Sequence, residues 1–334
     1  MSSTGAVRWG IIGTANIARA AFLPAVRQAG GVPAAVAGRD ADRAGKYARE
    51  HGIERAVQGY QALIDDPGVD ALYIPLPNSL HAEWTIRALR AGKPVLCEKP
   101  LCGTLAETER VLAVAAETGT PLWEAFVFPF HDQFARVRGL IADGAIGDLR
   151  EIQSGFHFNV GRAENIRLSA GLAGGALNDV GCYPVRLALE FCGTGHETAW
   201  ATSEWGAEVD METWGSLGFP GGQRLLLSCG MRRGYDTFSR LLGTSGQIHL
   251  TNPFHPGPAD RFEVLAAGAA PRSYEAAGQE PSFTAAIRHI QAVVRGDQAP
   301  RQLATETSLA SARALHDLHA SMAAGRKAAS GPVG

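Results

Sequence analysis

The chain has 334 residues, of which 46% are hydrophobic and 19% charged, and this length is more than one domain usually holds, so two domains are expected. Its 31 basic and 33 acidic residues give a net charge of −2 without a long basic run, which argues against nucleic acid as a partner. No apolar stretch reaches the roughly 20 residues that span a bilayer and the first residues lack a signal-peptide pattern, so we expect no membrane partner and a cytoplasmic location.

The first 125 residues alternate short apolar runs with helical patterns, which is typical of a parallel sheet built from strand–helix–strand units. Predicted strands cover 7–12, 32–37, 71–75, 94–97 and 122–127, and predicted helices cover 41–51, 80–91 and 105–118. Pro24 lies in a further helical pattern and should kink or restart that helix. These elements predict an α/β fold that begins with a doubly wound Rossmann domain over residues 1–125.

From residue 126 onward the pattern changes to a helix at 133–143 and then to strands, with glycine and proline at some of the turns between them. The predicted strands include 150–159, 213–219, 224–229 and 247–250, and a Gly/Ala-rich loop at 257–278 and helices at 284–294 and 305–323 follow. This pattern predicts an α+β domain over residues 126–334, whose last helix could pack back on the first domain.

The first predicted strand leads directly into a turn that fits a relaxed dinucleotide-binding fingerprint, with alanines at two of its glycine positions. Its residues are Gly13, Thr14, Ala15, Asn16 and Ile17. Because the turn lies between a strand and a helix, its backbone N–H groups can hold a pyrophosphate. An ordinary strand-to-helix turn is the alternative.

The end of the second predicted strand distinguishes two nicotinamide cofactors, because an acid there accepts from the ribose 2′-hydroxyl of NAD and an arginine suits the 2′-phosphate of NADP. The strand ends in Gly38 and Arg39, and Arg43 lies in the first turn of the next helix. Both guanidinium groups can make charge-assisted bonds to a phosphate. NADP(H) is therefore favoured over NAD(H), although Asp40 also lies here, where it can instead cap the helix.

Two motifs resemble one known family. The fourth strand ends in Glu98-Lys99-Pro100, and with the run at 10–18 this motif resembles the Gfo/Idh/MocA oxidoreductases. The glycine-rich segment 174–183, which ends in Asp179-Val180-Gly181-Cys182-Tyr183, is similar to the second motif of that family. Further similar segments are 75–78 with His81, 124–126 and 144–148, so the resemblance covers nearly the whole chain.

The resemblance implies a C-terminal domain with a large open, mostly antiparallel sheet, through which members commonly pair, so a homodimer or homotetramer is expected. It also implies a cis Lys99–Pro100 bond and cofactor contacts from Leu76, Pro77, Asn78, His81, Glu98 and Lys99. Tyr183 stands where the family has His or Tyr, and it resembles a subgroup that includes glucose-fructose oxidoreductase, NADP-dependent xylose dehydrogenases, dihydrodiol dehydrogenases and sugar 3-ketoreductases. Ala173 departs from the family pattern, which often has glycine there.

Hydride transfer at a carbinol carbon also requires a proton to leave or join the oxygen. A free phenol has a pKa of about 10, and a neighbouring ammonium group would favour its ionised form. We therefore assign Tyr183 as acid/base, Lys99 as its electrostatic partner and Asp179 as an anchor for substrate or lysine. The sequence leaves open whether Lys99 or Tyr183 moves the proton.

Arg162 and Arg167 are candidate contacts for a sugar hydroxyl or a nucleotide phosphate, with a salt bridge as the alternative for each. The five cysteines lack the spacing of disulfide frameworks or zinc sites, and no metal is expected.

The sequence thus predicts an NADP(H)-dependent oxidoreductase that acts on a sugar or sugar derivative. The subgroup features leave two reactions open, namely aldose 1-dehydrogenation and reduction of a nucleotide-linked 3-ketosugar, with dihydrodiol oxidation behind them. A dinucleotide- and sugar-binding regulatory sensor without turnover is the alternative from another class. NAD-assisted glycoside hydrolysis also occurs in the family, but it resembles the His-bearing pattern.

Overall fold

A computed structural model of the chain describes residues 5–161, 164–257, 260–275 and 280–329. The chain divides into two compact units, the first made of residues 1–131 and 280–305 and the second of residues 132–279 and 306–334. The boundary predicted from sequence lies slightly earlier, and it assigned 280–305 to the second domain. None of the described helices is both long and apolar enough to cross a membrane.

The elements are numbered in chain order. The strands are β1 (Arg8–Ile12), β2 (Val32–Gly38), β3 (Arg55–Gln58), β4 (Ala71–Ile74), β5 (Val95–Cys97), β6 (Leu122–Glu124), β7 (Leu149–Asn159), β8 (Thr198–Trp205), β9 (Asp210–Gly218), β10 (Arg224–Gly230), β11 (Arg232–Gly243), β12 (Gly246–Leu250), β13 (Arg261–Ala266) and β14 (Arg272–Glu275). The helices are α1 (Leu23–Gln28), α2 (Ala41–His51), α3 (Tyr60–Ile64), α4 (Asn78–Arg90), α5 (Leu105–Thr118), α6 (Asp132–Ala142), α7 (Cys182–Cys192), α8 (Ser282–Val294) and α9 (Glu306–Ala329).

The first unit contains a six-stranded sheet with the order β3-β2-β1-β4-β5-β6, and its neighbouring strands are parallel. This is the strand order of a Rossmann fold, in which ligands bind beyond the carboxyl ends of the strands, where the order reverses. Here that point lies between β1 and β4. The predicted doubly wound fold is confirmed.

Pro24 restarts the first helix, as the sequence predicts. A short π-helical turn, Ala18–Phe22, is followed by α1, and the proline occupies the first turn of α1. A proline is tolerated there because the first N–H groups of a helix have no partner within it.

Both faces of the first sheet are covered. On one face, Phe22 stacks on Tyr73 with ring centroids 4.0 Å apart and meets Trp9 edge-on at 5.2 Å. Ile287 and Ile290 of α8 belong to this same buried cluster. A second cluster around Leu63, Leu72 and Leu89 covers the other face. Helix α8 therefore completes the Rossmann core, although it lies far along the chain.

The second unit is built on an eight-stranded sheet with the order β14-β13-β12-β11-β7-β10-β9-β8. Its pairs are antiparallel except for β7 with β10. Helix α7 packs on β7 and β10, and α9 packs on β8 and α7. The predicted large, mostly antiparallel sheet is confirmed.

The structure differs from the sequence prediction in this unit, for example at β11 (Arg232–Gly243), which the sequence analysis did not name. The segment predicted as a loop at 257–278 contains β13 and β14, which form an antiparallel pair at the sheet edge. The last helix, α9, belongs to the second unit, whereas α8 belongs to the first and packs on α1.

Candidate active site

The predicted phosphate-binding turn follows β1. Gly13 has φ = 101°, which disfavours residues with a side chain, and its N–H donates to the carbonyl of Ala37 at 2.8 Å. A Cβ atom at Gly13 would lie 2.9 Å from the Cδ2 atom of Leu76, in the loop after β4. The loops after β1 and β4 thus approach each other closely, as a dinucleotide cradle at this edge requires.

Helix α2 supports the same turn. The hydroxyl of Tyr47 donates to the carbonyl of Ala15 at 3.0 Å, and burial raises the pKa of Tyr47. A cavity of about 360 Å³ opens beside the turn, lined by Thr14, Asn16, Arg19, Arg43, Lys46, Tyr47, Glu50 and His51. Sequence reasoning did not single out Lys46 and Tyr47. Their positions three and four residues after Arg43 place them on one face of the helix with it, and this spacing is the signal that could have found them.

The side chains beyond β2 match the charge pattern that suits a phosphate. Asp40 caps α2, because its Oδ1 atom accepts from the N–H of Arg43 at 2.9 Å. Arg39 and Arg43 are exposed, and no described residue forms an ion pair with either guanidinium group. One carboxyl oxygen of Asp40 is thus engaged by the helix, while two cations remain available at the strand end.

Three elements of the first unit brace the segment Glu98 to Leu101, whose Lys99–Pro100 bond is cis. From β4, the hydroxyl of Tyr73 donates to Glu98 Oε1 at 2.6 Å. From the end of β6, Oε1 of the buried Glu124 accepts from the N–H of Leu101 at 2.8 Å. His81 of α4 provides the third brace. Lys99 is half-buried, and its backbone position is fixed by these neighbours.

His81 joins the loops after β4 and β5. Its Nδ1 atom lies 3.0 Å from the carbonyl oxygen of Pro100, and its Nε2 atom lies 2.8 Å from that of Leu76. The side chain has 0% exposure, and burial lowers the pKa of His81. Because His81 is fully buried, it would influence a bound cofactor only indirectly, by positioning the backbone of Leu76 and Pro100. Pro77 and Asn78, also predicted as cofactor contacts, are half-buried at the start of α4.

In the second unit, Tyr183 lies in the first turn of α7 and is 7% exposed. Its ring packs against Phe156 of β7 and Phe254, both with centroids at 5.2 Å. Its hydroxyl is 3.3 Å from the Nε2 atom of His255. Sequence reasoning missed His255, which is 72 positions further along the chain and belongs to no motif.

Asp179 and Arg167, both predicted site residues, lie together. The Nε atom of Arg167 is 2.6 Å from Asp179 Oδ2, and its guanidinium carbon is 5.8 Å from the ring centroid of Phe158. Arg167 therefore forms the salt bridge that was left open as an alternative, and it orients the Asp179 carboxylate. Its side chain is still 41% exposed, so a ligand can reach it. Arg162 lies outside the described residues.

Gly174 allows the backbone of Arg167 to approach the glycine-rich segment. A Cβ atom at position 174 would lie 2.3 Å from the carbonyl oxygen of Arg167, and backbone cannot rotate away as a side chain would. We expect Gly174→Ala to destabilise the fold by about 1–3 kcal/mol, as overpacking usually does, and to displace Arg167 from Asp179.

Gly171 provides the matched control, because a Cβ there would meet only the Ser169 hydroxyl oxygen at 3.8 Å. Gly171→Ala should change stability by less than about 0.5 kcal/mol. Urea unfolding of both variants checks this, and equal stability of the two would contradict the expectation.

Two family models match the chain. Residues 7–126 match the family model described as "Oxidoreductase family, NAD-binding Rossmann fold". Residues 134–249 match the model of the GFO/IDH/MocA C-terminal domain. The chain belongs to the Gfo/Idh/MocA oxidoreductase family. The predicted family and the assignment to the oxidoreductases are therefore confirmed.

Individual relatives cover most of the chain. It is 42% identical to dTDP-3,4-didehydro-2,6-dideoxy-alpha-D-glucose 3-reductase of Streptomyces violaceoruber, over 78% of this chain and 77% of the relative. It is 36% identical to D-xylose 1-dehydrogenase (NADP(+)) 2 of Haloferax volcanii, over 77% and 79% of the two chains. A solved 3-ketoreductase from Actinomadura kijaniata, in complex with NADP and TDP-benzene, matches with a TM-score of 0.86 at 33% identity and covers 95% of this chain and 98% of that one.

Proposed function

We propose that this chain is an NADP(H)-dependent oxidoreductase that reduces the 3-keto group of a nucleotide-linked deoxysugar. The observation that carries the proposal is the 42% identity to a dTDP-sugar 3-reductase over 78% of this chain. The fold match to a 3-ketoreductase in complex with NADP and TDP-benzene supports it. A regulatory sensor is not favoured, because the named relatives are reductases and dehydrogenases.

Aldose 1-dehydrogenation is the second candidate. The 36% identity to an NADP-dependent D-xylose 1-dehydrogenase over 77% of this chain favours it. Both reactions transfer a hydride at a carbon that bears oxygen on a sugar. They differ in whether the ligand carries a nucleotide diphosphate, and the same catalytic groups can serve either reaction.

The residues of the first unit fit NADP. Gly13 leaves the space that a Cβ atom would fill, and the turn precedes the N-terminal end of a helical segment, which favours a pyrophosphate. Arg39 and Arg43 suit the 2′-phosphate, while Asp40 caps α2. When bound, the nicotinamide supplies or accepts the hydride.

We propose three roles for this chain's own residues. Tyr183 Oη gives a proton to the substrate oxygen during reduction and takes it back during oxidation. The Lys99 ammonium stabilises negative charge that develops on that oxygen. Asp179, held by Arg167 at 2.6 Å, accepts a hydrogen bond from a sugar hydroxyl.

A paired assay tests the proposed function. Purified protein is mixed with NADPH and a dTDP-linked 3-keto-2,6-dideoxy sugar, and separately with NADP⁺ and D-xylose, glucose or other free aldoses, while reduced nicotinamide is followed by absorbance. We expect turnover in the first mixture. Turnover only in the second would assign the dehydrogenase reaction, and tight NADPH binding without turnover in either would overturn the oxidoreductase proposal.

Removing the two arginines should change the cofactor preference. We expect the double variant Arg39→Ser, Arg43→Ser to weaken NADPH binding by about 10²- to 10⁴-fold, because bonds to charged groups are each worth roughly 1.5–3 kcal/mol and the variant removes one from each arginine. NADH, which lacks the 2′-phosphate, should bind nearly as before. Fluorescence titration with each cofactor measures both affinities.

Arg49→Ser is the matched control, since Arg49 is an exposed arginine of the same helix that does not line the cavity. It should leave both affinities unchanged. An equal loss of NADPH and NADH affinity in the double variant would argue against a 2′-phosphate contact.

We also propose that the protein forms a homo-oligomer through the open face of the eight-stranded sheet. Trp200 of β8 is 57% exposed and Leu226 of β10 is 41% exposed. Ser216 of β9, which lies between these strands, pairs with both residues, so the two side chains lie on the same face of the sheet. Large apolar side chains on one face are typical of a subunit interface. Light scattering after size exclusion tests this, and a monomer at micromolar concentration would contradict it.

A further inference from the structure

A turn closed by side-chain hydrogen bonds holds His255 against the Tyr183 hydroxyl. Asn252 Oδ1 accepts from the N–H of His255 at 3.2 Å, and Asn252 Nδ2 donates to the carbonyl of His255 at 2.7 Å. Asp260 Oδ2 accepts from Asn252 Nδ2 at 2.9 Å and from the N–H of Gly257 at 2.6 Å. Gln133 of α6 donates to the carbonyl of Asn252 at 3.1 Å. The backbone at His255 is therefore fixed from both sides.

Aromatic rings fix the orientation of the imidazole. His255 meets the Tyr183 ring at 5.4 Å with an interplanar angle of 64°, and it meets the Phe156 ring at 5.9 Å and 76°. Phe254 stacks on Phe156 at 5.7 Å and 7°. Edge-on packing of this kind holds a ring in place, and here it directs Nε2 to Tyr183 Oη at 3.3 Å.

The two side chains differ in their access to water. Tyr183 is 7% exposed, whereas His255 is exposed. Every turnover of the proposed reaction consumes or releases one proton at Tyr183, so a buried phenol needs a path for that proton. An imidazole is suited to this task, because its ordinary pKa of about 6.5 lets it gain and lose a proton near neutral pH.

We propose that His255 carries the proton between Tyr183 Oη and solvent. This inference rests on the proposed role of Tyr183. During reduction, the substrate oxygen takes the proton of Tyr183 Oη, the resulting phenolate takes the Nε2 proton of the His255 imidazolium, and the neutral imidazole regains a proton from a hydronium ion or a buffer acid in solvent. During oxidation each transfer runs in reverse, and the hydride goes to the nicotinamide.

The ionisable groups around the pair are also defined. Asp260 is engaged by Asn252 and by the N–H of Gly257. Asp179, one helical turn before Tyr183, is paired with Arg167. Both carboxylates make these bonds, and the Tyr183–His255 contact provides a direct route to an exposed titratable side chain.

Two variants of His255 test the relay. His255→Phe keeps an aromatic ring against Phe156 but cannot carry a proton, and His255→Ala leaves room for added imidazole. The assay uses the mixture, of the two defined above, that supports turnover. We expect each variant to lower kcat by about 10- to 100-fold, which is less than the decrease expected when Tyr183, the acid/base, loses its hydroxyl. The KM for the cofactor should change by less than about twofold, because the coenzyme contacts proposed here lie in the first unit.

Imidazole rescue and the pH profile separate a relay from a structural role. We expect added imidazole to raise kcat of His255→Ala in proportion to its concentration, and the limb of the kcat profile near neutral pH to vanish in both variants. His249→Phe, a histidine of β12 that shows no contact with Tyr183 among the described residues, should keep the wild-type profile. A wild-type kcat and pH profile in His255→Phe, or a reduced kcat that imidazole does not restore, would overturn the relay.

A measurement without turnover distinguishes failure of the relay from failure of the proposed function. The near-ultraviolet difference spectrum between wild type and Tyr183→Phe reports ionisation of this phenol. The same difference spectrum is then taken between His255→Phe and the double variant His255→Phe, Tyr183→Phe, and its midpoint should be displaced by about 0.5–1 pH unit, the value of one hydrogen bond. An undisplaced midpoint would contradict the contact. If Tyr183→Phe is inactive while His255→Phe behaves as wild type, only the relay fails. Full activity of Tyr183→Phe would instead overturn the proposed role of the phenol.

Discussion

Replacing Tyr183 by Phe should lower kcat by about 10²- to 10⁴-fold, the usual contribution of a general acid or base. The substitution removes only the hydroxyl oxygen, and the ring keeps its packing against Phe156 and Phe254, whose centroids lie at 5.2 Å. Protein stability and NADPH affinity should therefore change little. Steady-state kinetics with saturating cofactor, together with thermal unfolding and cofactor titration, measure the three quantities.

Tyr235→Phe is the matched control for this change. Tyr235 lies on β11 of the same sheet, its ring is 5.9 Å from Phe156, and it is 68% exposed. Removing its hydroxyl should leave kcat within about twofold of wild type, as expected for an exposed group outside the chemistry. If Tyr183→Phe and Tyr235→Phe had the same kcat, the phenol of Tyr183 could not be the proton donor.

The helices that could be predicted accurately are those with signals at both ends. Asp40 and Thr104 cap α2 and α5, and Gly52 and Gly119 follow their last residues in the left-handed conformation. These residue types mark helix ends in any sequence, so the predicted bounds 41–51 and 105–118 agree with the structure.

Sequence reasoning missed strands β3 and β13 for different reasons. Strand β3 (Arg55–Gln58) has no buried residue, so its sequence lacks the apolar run by which a buried strand is predicted. Strand β13 does alternate, with Phe262 and Val264 buried between exposed residues, but the Gly/Ala-rich composition around it favoured a loop. The neighbours that stabilise these strands, β2 for β3 and both β12 and β14 for β13, are not visible in local sequence.

The site residues also fall into two groups, those that a local motif predicts and those that it does not. Gly13, Arg39, Lys99 and Tyr183 stand in contiguous motifs that a single sequence reveals. Their partners do not, because Tyr73 is 25 positions from Glu98 and His255 is 72 positions from Tyr183. Such pairs form only when the chain has folded, so the supporting shell of the site had to come from the structure.

Replacing Lys99 by Met should lower kcat by about 10²- to 10³-fold, because removing one electrostatic group aimed at a developing charge has that effect. Methionine keeps the apolar stem. The contacts that hold the backbone here come from His81 to the carbonyl of Pro100 and from Glu124 to the N–H of Leu101, and the substitution leaves them in place. Activity should thus be lost with little change in stability, as measured by kinetics and urea unfolding.

The double variant Lys99→Met, Tyr183→Phe then tells which group moves the proton. If Lys99 acts only by stabilising the charge that proton transfer from Tyr183 relieves, the second substitution adds little to the first, and the double loss is far smaller than the product of the single losses. If the two residues acted independently, the two losses would instead multiply. We expect strong non-additivity.

The pH profile of kcat gives a second test. We expect the limb that Tyr183→Phe abolishes to remain in Lys99→Met, displaced to another pH. If that limb disappears in Lys99→Met and survives in Tyr183→Phe, then Lys99 carries the proton, and a double variant with full turnover would exclude both residues from the chemistry.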